Sequence, residues 1–94
     1  MGFPTANLEA ETGLTSGVYM GSVVLEGKSH PAAVFIPKGK KIVEAHILDF
    51  SRDIYGEKIE IVIGKKMREI QKFENDEELK GQIKIDLAKI RNHN

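Results

Sequence analysis

Over four stretches of this chain, apolar residues alternate or, in one case, form a continuous run, and these stretches are predicted to be β-strands. The stretches are residues 17–26, 30–36, 41–50 and 58–65, and a short fifth extended piece could follow at 66–70. Both faces of 17–26 are rather apolar, as expected in a closed barrel with another element packed against its outside. The first sixteen residues are rich in turn formers and show no such period. We expect no regular element there.

The period changes near the C-terminus, where the pattern predicts an α-helix. Asn75 followed three residues later by Glu78 is typical of a helix N-cap with a capping box. Apolar residues then recur at helical spacing, at Leu79, Ile83, Leu87 and Ile90. Short antiparallel strands followed by one amphipathic helix predict an all-β or mainly β fold, either a barrel or a sandwich, with the helix packed on it.

Composition narrows the class of protein. With 94 residues, of which 40% are hydrophobic, the chain is expected to form one domain over residues 1–94. The 14 Lys and Arg residues balance the 14 Asp and Glu residues, so the net positive charge that nonspecific nucleic-acid binding requires is lacking. No apolar run is long enough for a membrane span, and the absence of cysteine excludes disulfides and thiolate sites. We therefore expect a cytoplasmic domain with neither nucleic acid nor membrane as a partner.

The segment GFPTAN at residues 2–7 is the first candidate for chemistry. Pro4 fixes one backbone φ angle, and Thr5 and Asn7 carry short side chains with oxygen atoms. A loop of this kind can hold phosphate and a hard cation such as Mg²⁺. The alternative is an ordinary turn in which Thr5 and Asn7 bond their own backbone. Spacing alone favours that alternative.

Glu44 is the second candidate, because it stands in mid-strand within VEAHILDF at residues 43–50. Strand alternation puts it on the same side as His46, among apolar neighbours. A carboxylate in such a place is costly unless it is paired or used, and a partly desolvated one can act as a general base toward a hydroxyl. The alternative, slightly favoured by pattern alone, is a solvated face with a cross-strand lysine. For His46 we expect a wall or hydrogen-bonding role rather than metal binding.

Taken in order, several segments resemble the bacterial riboflavin kinase family, whose domain often forms the C-terminal half of bifunctional FAD synthetases. The matching segments are GFPTANL (2–8), GVY (17–19), HPAAV (30–34), VEAHILDF (43–50), DIYG (53–56) and QKF (71–73). The order and spacing of PTAN and of the EAHILDF strand are the most specific part of the resemblance. It implies a six-stranded Greek-key barrel with a C-terminal α-helix, ATP with Mg²⁺ as phosphoryl donor, and riboflavin as acceptor.

The resemblance also implies roles for individual residues. Pro4, Thr5 and Asn7 would contact the nucleotide phosphates, with Thr5 and Asn7 at the Mg²⁺ ion. Glu44 would take the proton from the ribityl 5′-hydroxyl as riboflavin and ATP become FMN and ADP. Arg68 matches an arginine that the family places before the helix, near the flavin. Phosphoryl transfer depends mainly on positioning and charge neutralisation, so one carboxylate, one hard cation and one loop can suffice.

Three segments depart from the family pattern. The family has a strand upstream of GFPTAN, a longer loop where this chain has a short basic turn at 36–41, and Pro-Glu where this chain has Glu69-Ile70. We therefore expect a barrel that is one strand short, self-association through an open sheet edge, and slow turnover. The rival hypotheses are a flavin- or nucleotide-binding module of the same fold without turnover, and an interaction domain that uses the open edge. An adenylyltransferase domain is another partner that the resemblance implies.

Overall fold

The computed structural model describes residues 5–47 and 58–92, and for residue 5 it describes the backbone alone. The strands are β1 (Thr5–Glu9), β2 (Gly17–Leu25), β3 (Lys28–Ile36), β4 (Ile42–Ile47) and β5 (Ile59–Arg68), and the helix α1 (Asp76–Arg91) follows them. The predicted mainly β fold with a C-terminal helix is confirmed. Within the described ranges, no helix is long and apolar enough to cross a lipid bilayer.

The sheet has Greek-key connectivity. All strand pairs are antiparallel, and the spatial order is β1-β4-β3-β2-β5. Strands β2, β3 and β4 form a meander, while β5 returns to lie beside β2 and β1 lies beside β4. The predicted Greek-key arrangement is confirmed, with five strands in the part of the chain that the structure describes. There β1 and β5 form the two edges of the sheet, and association through these edges stays a prediction.

Each face of the sheet carries its own apolar layer. On one face a core cluster includes residues from all the strands, and β5 contributes Ile59, Ile61 and Ile63 to it. On the other face α1 packs over β3 and buries Ile83, Leu87 and Ile90. The two layers explain why both faces of β2 are apolar, since Tyr19 packs in the first layer and Val18 in the second.

The helix begins where the sequence predicts it. The Asn75 side chain accepts a hydrogen bond of 2.9 Å from the backbone N–H of Glu78. Acidic residues occupy the first turn and basic residues the last turn, which suits the helix dipole. The N-terminal turn of α1 lies near Glu44 of β4 and Phe35 of β3.

Two predictions about strands are wrong in detail. Residues 5–9 form β1, whereas the sequence predicts no regular element before residue 17. Ala6 is buried but Asn7, Leu8 and Glu9 are exposed, so this strand lacks the apolar alternation and owes its form to pairing with β4. Thr5 and Asn7 therefore lie on a strand rather than in a loop or turn, and their contacts with phosphate and Mg²⁺ stay a prediction. The extended piece at 66–70 is not separate either, because β5 continues to Arg68 through two register shifts. Residues 48–57, which include the DIYG segment, lie outside the described residues.

Candidate functional site

A single row of residues crosses all five strands on the face that carries α1. The register pairs Asn7 with Glu44, Glu44 with Phe35, Phe35 with Val18, and Val18 with Arg68. Side chains directly opposite each other in antiparallel strands have Cβ atoms about 5 Å apart. The row therefore places Asn7 beside Glu44, although they are distant in sequence, and places Arg68 at the β5 edge.

A cavity of about 650 Å³ lies over the Asn7 end of this row, between the sheet, the first turn of α1 and the segment 69–75. Its volume is within the range of small-molecule sites. Polar side chains line one part of the cavity: Asn7, Glu44, Gln71, Glu74, Asn75 and Asp76. Rings and aliphatic groups line the other part: Phe35, His46, Phe73, Ile70 and Leu79. A second cavity of about 510 Å³ lies between 10–16 and 36–42 and contains none of the predicted site residues.

Asn7 and Glu44 form the part of the cavity that suits a hard cation and phosphate. Asn7 is exposed and Glu44 is half-buried, so water and ligands can reach their oxygen atoms. Amide and carboxylate oxygens suit Mg²⁺, which proteins usually bind through one or two carboxylates together with substrate phosphates. Among residues 5–47 and 58–92, no group of three or more His, Cys, Asp or Glu could hold a metal alone. The donor set therefore fits a magnesium ion that a nucleotide brings with it.

Thr5 is described by its backbone. The backbone of Thr5 lies opposite His46 in the register, two residues from Asn7 on the same strand, so its position borders the cavity. Pro4 lies outside the described residues. Among the described side chains, that of Asn7 lines the cavity, as predicted for a residue at the nucleotide.

His46 forms part of the cavity wall, as expected of it. Its side chain is 5% exposed, and its ring meets the Phe35 ring edge to face with 4.7 Å between the centroids. Burial lowers the pKa of the imidazole from its ordinary 6.5, because desolvation disfavours the imidazolium, while the charges of Glu44 and Asp86 oppose the shift. His46 is therefore a neutral ring at neutral pH, suited to packing against another ring.

Acidification is expected to destabilise the domain through His46. Since its pKa is lowered from 6.5 in the folded state, the unfolded chain binds the proton first, and stability falls as the pH drops through 6.5 toward the folded value. Urea unfolding at about pH 7.5 and about pH 5.5 should show a smaller pH-dependent loss for His46→Gln than for the parent. Equal losses in the two proteins would exclude His46 as the source.

Arg68 does not line the cavity. Its Nε donates to Oδ1 of Asp86 over 3.1 Å and its Nη2 donates to Oδ2 over 2.7 Å, which makes a bidentate ion pair between β5 and α1. The guanidinium carbon lies 5.8 Å from the centroid of the Phe35 ring. Arg68 thus lies behind the cavity wall, because it packs near Phe35 and the Phe35 ring lines the cavity.

The sequence analysis does not identify Phe35, Phe73 or Asp86 as residues of the site. Phe73 stands in the QKF segment, and Phe35 in an apolar run where nothing marks it as a site residue. Asp86 has a detectable signal, because it falls beside Ile83, Leu87 and Ile90 on the buried side of α1. A carboxylate on a buried face requires a cationic or hydrogen-bonding partner, and Arg68 is that partner.

The structure is a small Greek-key domain with a cavity that has polar side chains at one part and aromatic rings at another. The sequence model of the Flavokinase family, described as riboflavin kinase, matches residues 1–94. The chain therefore belongs to the riboflavin kinase family.

Two relatives illustrate the match. The chain is 36% identical to a bifunctional riboflavin kinase/FMN adenylyltransferase of Pseudomonas fluorescens, over 97% of this chain and 32% of that protein. It is 40% identical to a Bacillus subtilis protein described as the RNA-binding riboflavin kinase RibR, over 94% of this chain and 42% of that protein. The chain thus spans less than half the length of these relatives.

A solved structure has the same fold. It is described as the crystal structure of a macrolide-efflux protein from Streptococcus pneumoniae, and it superposes with a TM-score of 0.77 at 30% identity. The match covers 98% of this chain and 33% of that one. The fold described above therefore corresponds to about a third of that solved chain.

Proposed function

We propose that this domain transfers the γ-phosphoryl group of ATP to the ribityl 5′-hydroxyl of riboflavin, which yields FMN and ADP. The observation that carries the proposal is the placement of Glu44 and Asn7 side by side at the cavity that also contains the aromatic wall. A planar ring system suits the Phe35 and Phe73 part of this cavity, and a phosphate with its cation suits the Asn7 part.

Glu44 is the general base in this proposal. Its carboxylate accepts the proton of the 5′-hydroxyl while the oxygen attacks the γ-phosphorus and the bond to the β-phosphate oxygen breaks. The half-buried position on β4 limits its contact with water, and its backbone is held on both sides by β1 and β3. Such a base stays in one place relative to the acceptor, which is what an in-line transfer requires.

Asn7, with Thr5 and Pro4 before it, is proposed to hold the phosphate end of the nucleotide. The Asn7 amide oxygen is the group that would approach Mg²⁺ there, whereas the Glu44 carboxylate accepts the proton of the 5′-hydroxyl. When bound, the ion would offset the negative charge of the phosphates during transfer. Because β1 is paired to β4, the distance between the nucleotide residues and Glu44 is set by the sheet register.

A direct assay tests the proposal. The chain is incubated with riboflavin, ATP and Mg²⁺, and FMN and ADP are separated and quantified by liquid chromatography. Equal amounts of FMN and ADP that depend on both substrates would support a kinase. Binding of riboflavin and ADP without FMN would favour the alternative, a binding module of the same fold, and the absence of binding would overturn both.

Asn7→Ala is expected to weaken Mg²⁺-dependent ADP binding by about tenfold, because the amide oxygen that binds the Mg²⁺ ion of the nucleotide is lost. Stability should change by less than about 1 kcal/mol, since the Asn7 side chain is exposed. Titration calorimetry with ADP, with and without Mg²⁺, measures the effect. Glu9→Gln, at another exposed position of β1, is the matched control and should bind ADP as the parent does. Equal ADP affinity in Asn7→Ala and the parent would contradict the assignment.

Two partners follow from the family. The Pseudomonas relative combines the two activities in its name, riboflavin kinase and FMN adenylyltransferase. We propose that an adenylyltransferase domain, joined or separate, consumes the FMN formed here. Self-association through the edges of β1 and β5 is a second proposal, and sedimentation at several concentrations tests it.

A further inference from the structure

Arg68 and Asp86 form a buried connection between the helix and the cavity. The Arg68 side chain is 16% exposed and the Asp86 side chain 0% exposed. Two parallel hydrogen bonds fix the plane of the guanidinium, and a third, from Gln82 Nε2 to Asp86 Oδ1 over 3.1 Å, fixes the carboxylate. Arg68 therefore has one defined position relative to the sheet.

This fixed guanidinium supports two walls of the cavity. It lies against the Phe35 ring, which in turn meets the His46 ring edge to face. Its remaining amino group, Nη1, donates to the backbone oxygen of Glu69 over 2.9 Å. That bond holds the point where the segment 69–75 leaves β5, and this segment supplies Phe73 to the cavity.

We propose that Arg68 and Asp86 are positioning residues that set the affinity for the flavin ring without touching it. The Arg68–Asp86 pair fixes the Phe35 ring and the start of 69–75, and these together shape the slot for a planar acceptor. The inference rests on the proposed function, in which this cavity receives riboflavin. It differs from the expectation that Arg68 contacts the flavin, because the guanidinium donors are directed at Asp86 and Glu69.

The test must separate positioning from folding. Removing one partner alone leaves a buried charge, whereas replacing both by apolar side chains of similar volume often leaves stability unchanged or improved. The double variant Arg68→Met with Asp86→Leu is therefore used in the full chain. Phe35→Leu, which removes the ring directly, is the positive reference. Lys84→Ala, at an exposed position of α1 outside the Arg68–Asp86 pair, is the matched control.

Three measurements are made on each protein: riboflavin affinity by fluorescence quenching with Mg²⁺ and ADP present, ADP affinity by calorimetry, and the melting temperature. We expect the double variant to bind riboflavin about fivefold or more weakly, because the guanidinium no longer holds the Phe35 ring. Its ADP affinity and melting temperature should stay at or above those of the parent. Lys84→Ala should bind riboflavin like the parent.

A fourth readout does not depend on any ligand. The edge-to-face contact gives the His46 ring protons a ring-current shift in the NMR spectrum, and the double variant should move them toward the values of a free imidazole. Unchanged His46 shifts, or parent-like riboflavin affinity in the double variant while Phe35→Leu binds weakly, would overturn the positioning role alone. Failure of the parent itself to bind riboflavin would overturn the proposed function instead.

Discussion

Glu44→Gln is expected to lower the rate of FMN formation by about 100-fold or more, because the amide cannot accept the proton of the attacking hydroxyl. The exchange keeps the size of the side chain and its hydrogen-bonding oxygen, so riboflavin affinity should fall only modestly. Initial rates of FMN formation at saturating ATP, with riboflavin varied, separate the turnover number from the Michaelis constant.

The matched control for this variant is Glu60→Gln. Glu60 is also a glutamate in mid-strand, but it lies exposed on β5, away from the cavity. It should leave FMN formation at the parent rate. An unchanged turnover number in Glu44→Gln would remove the base role and leave Glu44 as a half-buried residue of the cavity wall.

The sequence predicts most of the fold because burial in this domain follows a simple period. In β5, Ile59, Ile61 and Ile63 pack toward the core while Glu60 and Val62 are exposed, so the two-residue pattern is visible in the sequence. The same holds for the helix, where Asn75 caps the N-terminus and the buried residues recur at helical spacing. Elements whose burial is this regular can be predicted without a structure.

Strand β1 shows why the rest could not be predicted. Its buried side chain is Ala6, which is too small to stand out in a hydrophobicity pattern, and its neighbour Leu8 is 38% exposed. Pairing with β4 determines that it is a strand, and such pairing joins residues that are distant in sequence. Turn propensity was therefore overridden by a tertiary contact.

The candidate site was predictable only in part for the same reason. The resemblance to riboflavin kinases singles out Asn7, Glu44 and Arg68, but spacing along the chain does not show that one row of the sheet contains all three. The register supplies that row and also inserts Phe35 between Glu44 and the Arg68 side of the sheet. The proposed action of Arg68 on the cavity through Phe35 follows from this register and from the ion pair with Asp86. Neither the register nor the ion pair can be predicted from spacing along the sequence.

The Arg68–Asp86 pair also makes a strong prediction about stability. An ion pair with one partner fully buried has lost most of its hydration. Each charge is then stabilised mainly by the opposite charge rather than by water. An exposed pair such as Lys41–Glu11, with side chains 78% and 70% exposed at an N–O distance of 2.7 Å, remains hydrated and contributes little. The two pairs have the same shortest N–O distance, so burial and the second hydrogen bond from Arg68 should distinguish their effects.

Asp86→Ala is therefore expected to lower the free energy of unfolding by about 3–5 kcal/mol, because Arg68 is left buried without its counter-charge. That is a large share of the roughly 5–15 kcal/mol typical of a domain. Glu11→Ala, the exposed control, should cost less than about 1 kcal/mol. Urea unfolding at neutral pH, followed by far-ultraviolet circular dichroism, measures both. Similar small losses in the two variants would mean that Arg68 finds water or another acceptor when Asp86 is removed, and that the pair does not hold β5 to α1.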